Sequence, residues 1–337
     1  MRRCILISAL ALLLSLTLPV ILPLTAPDAI REMLFPPSPV PAAVTAGKAP
    51  VPADANRTVR VLTGGEVREM TFRDYLPGVL AGEMPVSFEP EALRAQAVAA
   101  RTFAVYHMGH TDPRHPEADV CDDPGCCQVW LDADALADRW GERQAANEKK
   151  ILAAVRDTDG QILTWQGEPI LSCFHASSAG YTENSAQLWG KALPYLVSVE
   201  SPETAADVPG FVSTVEVEPE EFREVILSAY PAAAVKDTLP TEWLGSRTLD
   251  TSGRVASMRV GGVSVPGTEL RSLFALRSAC FTLEWTGRSF LFTVSGAGHG
   301  AGMSQYGANV LAREGADYAA ILAHYYPGTE LTGDLAA

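Results

Sequence analysis

From Cys4 to Thr25 the chain runs CILISALALLLSLTLPVILPLT without one charged side chain, directly after Met1-Arg2-Arg3. That is about the length a helix needs to cross a bilayer. Arg2 and Arg3 would hold the N-terminus in the cytoplasm and place everything after the span outside. The expectation is therefore a single-pass anchor over residues 1–25 in the cell membrane, with an extracytoplasmic folded part. A cleavable signal peptide is the alternative, but its apolar core is usually shorter and ends in an A-x-A-like exit. The exit here is Pro-rich. Cys4 opens the apolar run rather than closing it, so it is not read as a lipid-attachment site.

Residues 26–57 carry Pro27, Pro36, Pro37, Pro39, Pro41, Pro50 and Pro52 among many alanines, which reads as an extended, semi-rigid tether. The remainder, 58–333, has the length of one large domain or two modest ones. At 47% hydrophobic and 20% charged residues the chain can bury a sizeable core, and a formal net charge of -14 argues against a nucleic-acid partner.

TVRVLTGGEVREMTF alternates like a strand pair about Gly64-Gly65, and RDYLPGVLAGEM predicts a short helix with Pro77 in its first turn and a stop at Pro85. EPEALRAQAVAARTFAVYHMG is the strongest helix, its alanines permitting close packing. Further strands are expected from Ile162, hairpins about Gly261-Gly262 and Thr286-Gly287, and two final helices broken near Gly315. Residues 203–290 read as a possible subdomain or lobe. Strands and helices mix without strict alternation, so the fold class is α+β, with helices and antiparallel hairpins around one active-site groove.

HPEADVCDDPGCCQVW places His115, Cys121, Cys126 and Cys127 close together across a Pro124-Gly125 turn. Four soft ligands so spaced suit tetrahedral zinc, and a site filled by four protein ligands is structural. A disulfide is the competing reading in an oxidising compartment, Cys121 pairing with Cys126 or Cys127. SGAGHGAGMSQYGA surrounds His299 with glycines just before a helix, without the Lys-Ser/Thr of a phosphate loop. FHASSAGYTENSAQLWG offers His175, Ser177, Tyr181 and Trp189, a mixture that suits sugars and also suits an ordinary polar loop. Glu83, alone between Gly82 and Met84-Pro85, falls at a helix C-terminus. The macrodipole and apolar neighbours there both raise a carboxyl pKa, as a general acid requires. A lone Glu is nevertheless usually solvated surface.

DYLPGVLAGEMPVSFEPEALRAQAVAARTFAVYH, FHASSAGYTENSAQLWGKALPYLVSVESPE, SGRVASMRVGGVSVPGTELRSLFALRSACFTL and GHGAGMSQYGA occur in this order and resemble blocks of the stage II sporulation protein D family. The resemblance spans roughly residues 60–330. It implies a peptidoglycan lytic transglycosylase of sporulation engulfment that cuts glycan strands already stripped of stem peptides. It also implies partners: an amidase that strips them and a membrane scaffold protein. The family's A-x-E-M-P glutamate maps onto Glu83, and the arginine of its A-A-R-T block onto Arg101, which is implied to be important; the expected role of Arg101 is to contact substrate charge or to stabilise the conjugate base after proton donation. His115, Cys121 and Cys127 match a zinc segment that some members carry and others lack. Cys126 stands where a His is expected, so the ligand set departs from the family pattern.

Hydrolytic glycosidases generally need two carboxylates. A lytic transglycosylase uses the substrate's own C6 hydroxyl in place of water and leaves a 1,6-anhydro-N-acetylmuramic end, so one Glu suffices. His175, Ser177, Tyr181, His299, Ser304 and Gln305 are expected to line the glycan groove. The rival readings are a zinc-dependent cell-wall amidase or peptidase and a non-catalytic glycan-binding module.

Overall fold

The Gly64-Gly65 turn, with both residues at positive φ, joins β1 (Thr58–Thr63) to β2 (Glu66–Thr71) in the expected antiparallel hairpin. These coordinates come from a computed structural model that describes residues 53–236 and 238–333. The expected anchor and most of the tether lie outside the described residues. The folded part begins before Thr58, because α1 (Ala53–Asn56) already packs into it and buries Asp54. That corrects the boundary drawn at 57.

Thr71 caps α2 (Phe72–Glu83) by accepting the Asp74 N–H at 3.2 Å, so the helix starts earlier than Pro77 alone indicates. Pro77 is its sixth residue rather than a first-turn residue. The carbonyl of Arg73 thereby loses its helical partner, which is tolerable because Arg73 is exposed. After Pro85 breaks the chain, α3 (Pro90–Met108) runs through the first core. Residues from Ala92 to Val105 are buried on nearly every side, and small alanines let α2, the 144–157 helix and the C-terminal helices approach it.

Next come β3 (Val120–Cys121), parallel to β1, then α4 (Ala133–Trp140) and α5 (Gln144–Asp157). β4 (Ile162–Trp165) and β5 (Glu168–Pro169) pair with each other, β6 (Phe174–His175) follows, and α6 (Ser185–Trp189) is short. A second core draws its residues from Val217 to Val294. It is built from β7 (Val212–Val217), α7 (Pro219–Ala229), β8 (Leu244–Leu249), β9 (Val255–Val260), β10 (Val263–Pro266), α8 (Gly267–Leu273), β11 (Phe281–Trp285) and β12 (Phe290–Ser295). Two sheets, β10-β9-β8 and β11-β12-β7, enclose Phe222, whose ring stacks on Phe290 at 4.1 Å and on Phe274 at 5.0 Å.

The chain then returns to the first core. β13 (Met303–Ser304) pairs in parallel with β6, α9 (Gln305–Arg313) and α10 (Tyr318–Tyr325) pack on α3, and β14 (Glu330–Thr332) closes the β4 sheet. The fold is mixed α+β: two cores in one compact unit, with the 296–305 segment passing from one to the other.

Candidate active site

Glu83 is the last residue of α2 and only partly exposed. Two donors from distant segments hold its carboxylate. The Val129 N–H reaches Oε1 at 2.7 Å, and Gln305 Nε2 reaches Oε2 at 3.4 Å. Gly78 and Gly82, one helical turn apart, let the 129–131 segment lie against α2. A Cβ on Gly78 would fall 2.4 Å from the Leu131 carbonyl oxygen, and one on Gly82 2.8 Å from Val129 Cγ1. Burial pushes the Glu83 carboxyl above the ordinary carboxylate range, and the Val129 and Gln305 donors, which favour the ionised form, oppose it. The position can therefore hold a proton and, once ionised, has two hydrogen bonds in place.

The segment that supplies Val129 is organised by the Cys/His cluster. Ligand atoms of His115, Cys121, Cys126 and Cys127 all lie within 4.8 Å of one another. Cys127 Sγ is 3.3 Å from His115 Nε2 and 3.8 Å from Cys126 Sγ. A tetrahedron with zinc–sulfur bonds of about 2.3 Å has edges of about 3.7 Å, so the donor set and spacing fit a zinc ion. The described cysteines are free thiols, without the alternative Cys121 disulfide. Next in the chain, the buried Gln128 donates to the Tyr75 hydroxyl of α2 at 3.0 Å and to the Ala100 carbonyl of α3 at 3.2 Å. The Cys/His cluster, Gln128 and Val129 thus form one continuous support beneath Glu83.

Arg101 does not contact Glu83. It is fully buried and its guanidinium is filled from within: Nε and Nη2 meet the Asp54 carboxylate at 2.7 and 2.6 Å, and Nη1 meets the Gln161 carbonyl at 3.1 Å. The expectation that Arg101 touches substrate charge is corrected. Asp54 occupies it, and it pins α1 and α5 to α3.

Three of the expected groove residues are also framework. His175 is buried, with Nε2 against Ser178 Oγ at 2.7 Å and Nδ1 against the Ala301 carbonyl at 3.2 Å. Burial keeps its pKa well below the usual imidazole range, so it is neutral. Ser177 is buried at the bridge to Ala297. Ser304 caps α9, accepting the Gly307 N–H at 3.2 Å and donating to Glu203. Glu203, which sequence reasoning missed, is a buried carboxylate that also accepts the Ser178 N–H and Ser201 Oγ, each at 2.6 Å. The glycines of the second motif serve this framework: a Cβ at Gly302 would lie 1.9 Å from the Cys173 carbonyl oxygen. Gln305, next to that cap, faces Glu83 and not open solvent.

Tyr181 and Trp189 remain about half exposed. Trp189 lies 6.0 Å from the His299 ring, which in turn lies 5.7 Å from His175. The structure thus joins the third and second motifs side by side through β6 and β13, and joins both to Glu83 through Gln305. The spacing of Gly78 and Gly82 was a legible signal that something would pack beside Glu83. Nothing in the sequence identified Val129 as that partner, since its contribution is a backbone N–H.

The family model described as Stage II sporulation protein matches residues 63–165. The chain is 38% identical over 290 residues to the Stage II sporulation protein D of Bacillus amyloliquefaciens, which covers 86% of this chain and 80% of that protein. It is 37% identical over 268 residues to the protein of the same name from Bacillus subtilis (strain 168), covering 79% and 76%. The Amidase enhancer of Bacillus subtilis (strain 168) is 28% identical over 315 residues, covering 76% of this chain and 40% of that protein.

Proposed function

Because the chain belongs to the stage II sporulation protein D family, we propose that it is a sporulation cell-wall enzyme: a lytic transglycosylase that cuts peptide-free peptidoglycan strands. The observation that carries this reading is the desolvated carboxyl of Glu83, gripped by two hydrogen-bond donors at a helix end. Protonated Glu83 gives its proton to the bridging glycosidic oxygen as the bond from that oxygen to C1 of N-acetylmuramic acid breaks. The C6 hydroxyl oxygen of the same sugar bonds to C1, and its proton passes to the Glu83 carboxylate. The acid is regenerated, no water is consumed, and a 1,6-anhydro end remains. While Glu83 is ionised, Val129 and Gln305 stabilise the charge.

Zinc held by His115, Cys121, Cys126 and Cys127 would have no open position, so its chemistry is structural: it would fix the segment that carries Val129. This favours the transglycosylase over a zinc-dependent amidase, which needs an open position. The relative named Amidase enhancer accords with work beside an amidase. Tethering to the membrane by residues 1–25, with the folded part extracytoplasmic and near a scaffold partner, completes the proposal. Among the described residues no helix is long and apolar enough to cross a membrane.

The test is to incubate the full-length chain with peptide-free glycan strands and with intact sacculi and to analyse products by mass spectrometry. Anhydro-muramic ends that vanish in Glu83→Gln are expected. Release of free stem peptides, or retained glycan binding without any product, would overturn the assignment.

A further inference from the structure

α2 ends on Glu83, and its last turn is one hydrogen bond short. The Met84 N–H still closes onto the Leu80 carbonyl at 3.0 Å. The next bond of the ladder would run from residue 85 to the Ala81 carbonyl, and Pro85 has no N–H to give. Ala81 is only 2% exposed, so water cannot readily take the place of that donor.

Arg139 supplies it. From the last turn of α4 its Nη1 donates to the Ala81 carbonyl at 3.0 Å, across 58 residues of chain. Ala81 precedes Glu83 by two residues, about 3 Å of helical rise. Arg139 is otherwise exposed and makes no salt bridge among the described residues, so no ion pair dictates where it lies. A cation also suits this place, because the last carbonyls of a helix carry partial negative charge.

The stretch that carries Arg139 is the one that already holds the carboxylate. Val129 N–H meets Glu83 Oε1 at 2.7 Å, and Leu131 N–H meets the Gly78 carbonyl at 3.3 Å. Asp132 then starts α4 by accepting the Ala135 N–H at 2.8 Å, and two turns later the helix delivers Arg139 to Ala81. Residues 129–139 thus grip the end of α2 at three points, two on its backbone and one on the side chain of Glu83. Without the grip at Ala81 the final turn is free to fray, which would draw Glu83 away from Val129 and Gln305.

We infer that Arg139 is a positioning residue for Glu83: it replaces the donor that Pro85 removes and so keeps the end of α2 where Val129 and Gln305 meet the carboxyl. It acts through the helix backbone and not on the substrate. A donor reaching in from another helix fixes the helix end while leaving Pro85 free to break the chain before α3. This deepens, and rests on, the role given to Glu83 above.

The test is a double-mutant cycle in the full-length chain, read in two ways. Hydrogen exchange by mass spectrometry follows the peptides that contain Met84 and Val129. Release of anhydro-muramic ends from peptide-free glycan gives kcat and KM. Arg139→Ala should speed exchange at both peptides by about tenfold, as loss of one charge-assisted hydrogen bond permits. Exchange in the second core should not change. kcat should fall by a similar factor with KM within about twofold, and Arg139→Lys should recover part of both losses. Pro85→Ala restores an N–H at the position that lacks one, so adding Arg139→Ala to it should alter exchange and kcat by less than about twofold. Four results would overturn the inference: unchanged exchange at Met84 and Val129 in Arg139→Ala, a rise shared equally by the second core, a raised KM at constant kcat, or an equal effect of Arg139→Ala with and without Pro85→Ala. If the wild-type chain releases no anhydro ends while exchange obeys the cycle, the activity assignment falls and the positioning role stands.

Discussion

Glu83 illustrates how little one side chain determines by itself. At a helix C-terminus its carboxyl is disfavoured as an anion, and burial strengthens that effect. The folded state therefore holds this proton more tightly than the unfolded chain. That stabilisation is complete below the unfolded carboxyl range and fades as pH rises through the folded pKa. Thermal unfolding from pH 4 to 8 should show Glu83→Gln gaining on the wild type as pH rises. For the proposed reaction, loss of the acid should cost about 10²–10⁴-fold in kcat. Gln305→Ala removes a donor that favours the ionised form, so the Glu83 pKa should rise. The alkaline limb of the pH–rate profile then moves to higher pH, with kcat falling only a few-fold. An unmoved limb would show that Gln305 does not act on the carboxylate.

At the scale of elements, α1 is held by one buried ion pair, Asp54 with Arg101. Removing one partner of such a pair strands the other charge in the core and costs about 3–5 kcal/mol. Arg101→Ala, and equally a chain truncated at Thr58, should melt well below the wild type, with KM for glycan little changed in molecules still folded. A raised KM at unchanged melting temperature would return Arg101 to the substrate. The 115–129 segment makes a second such case. Cys121→Ser and Cys127→Ser should each lose stoichiometric zinc by metal analysis and loosen the support of Val129. Retention of the metal by both would remove the tetrahedral site. The element boundaries misread from sequence share a cause. The Thr71 cap and the Asp54 ion pair extended structure beyond the points where Pro77 and the Pro-rich composition placed its start.

For the whole molecule, the junction of the two cores carries titrating groups of opposite sign. Burial, then the Arg271 charge, pulls His299 down to about 4. An unfolded imidazole takes a proton near 6.5, so this contribution to stability is present above that pH and is lost as pH falls towards 4. Glu183 is pushed up to about 7 by burial and by its hydrogen bond to Asp250. Its contribution is present at low pH and is lost as pH rises through 7. Melting curves between pH 7 and 4.5 should therefore flatten on the acid side in His299→Gln and steepen in Glu183→Gln. Identical slopes in all three proteins would show that these groups do not titrate differently on folding.

The hairpins at Gly64-Gly65 and Gly261-Gly262, the helix from Pro90 to Met108 and the pair broken at Gly315 could be read from local periodicity and turn residues. Those signals act over a few residues. The Cys/His cluster was legible for the same reason, since its ligands lie within one short stretch. Three things were not legible: the burial of Arg101 against Asp54, the use of Ser304 and His175 as framework, and the Val129 and Gln305 donors at Glu83. Most of these contacts join segments dozens to hundreds of residues apart, and several use backbone groups that every residue possesses. A local pattern shows which side chains can do chemistry. Only the packing of distant segments decides which are desolvated, which are paired and which are left free to meet a ligand.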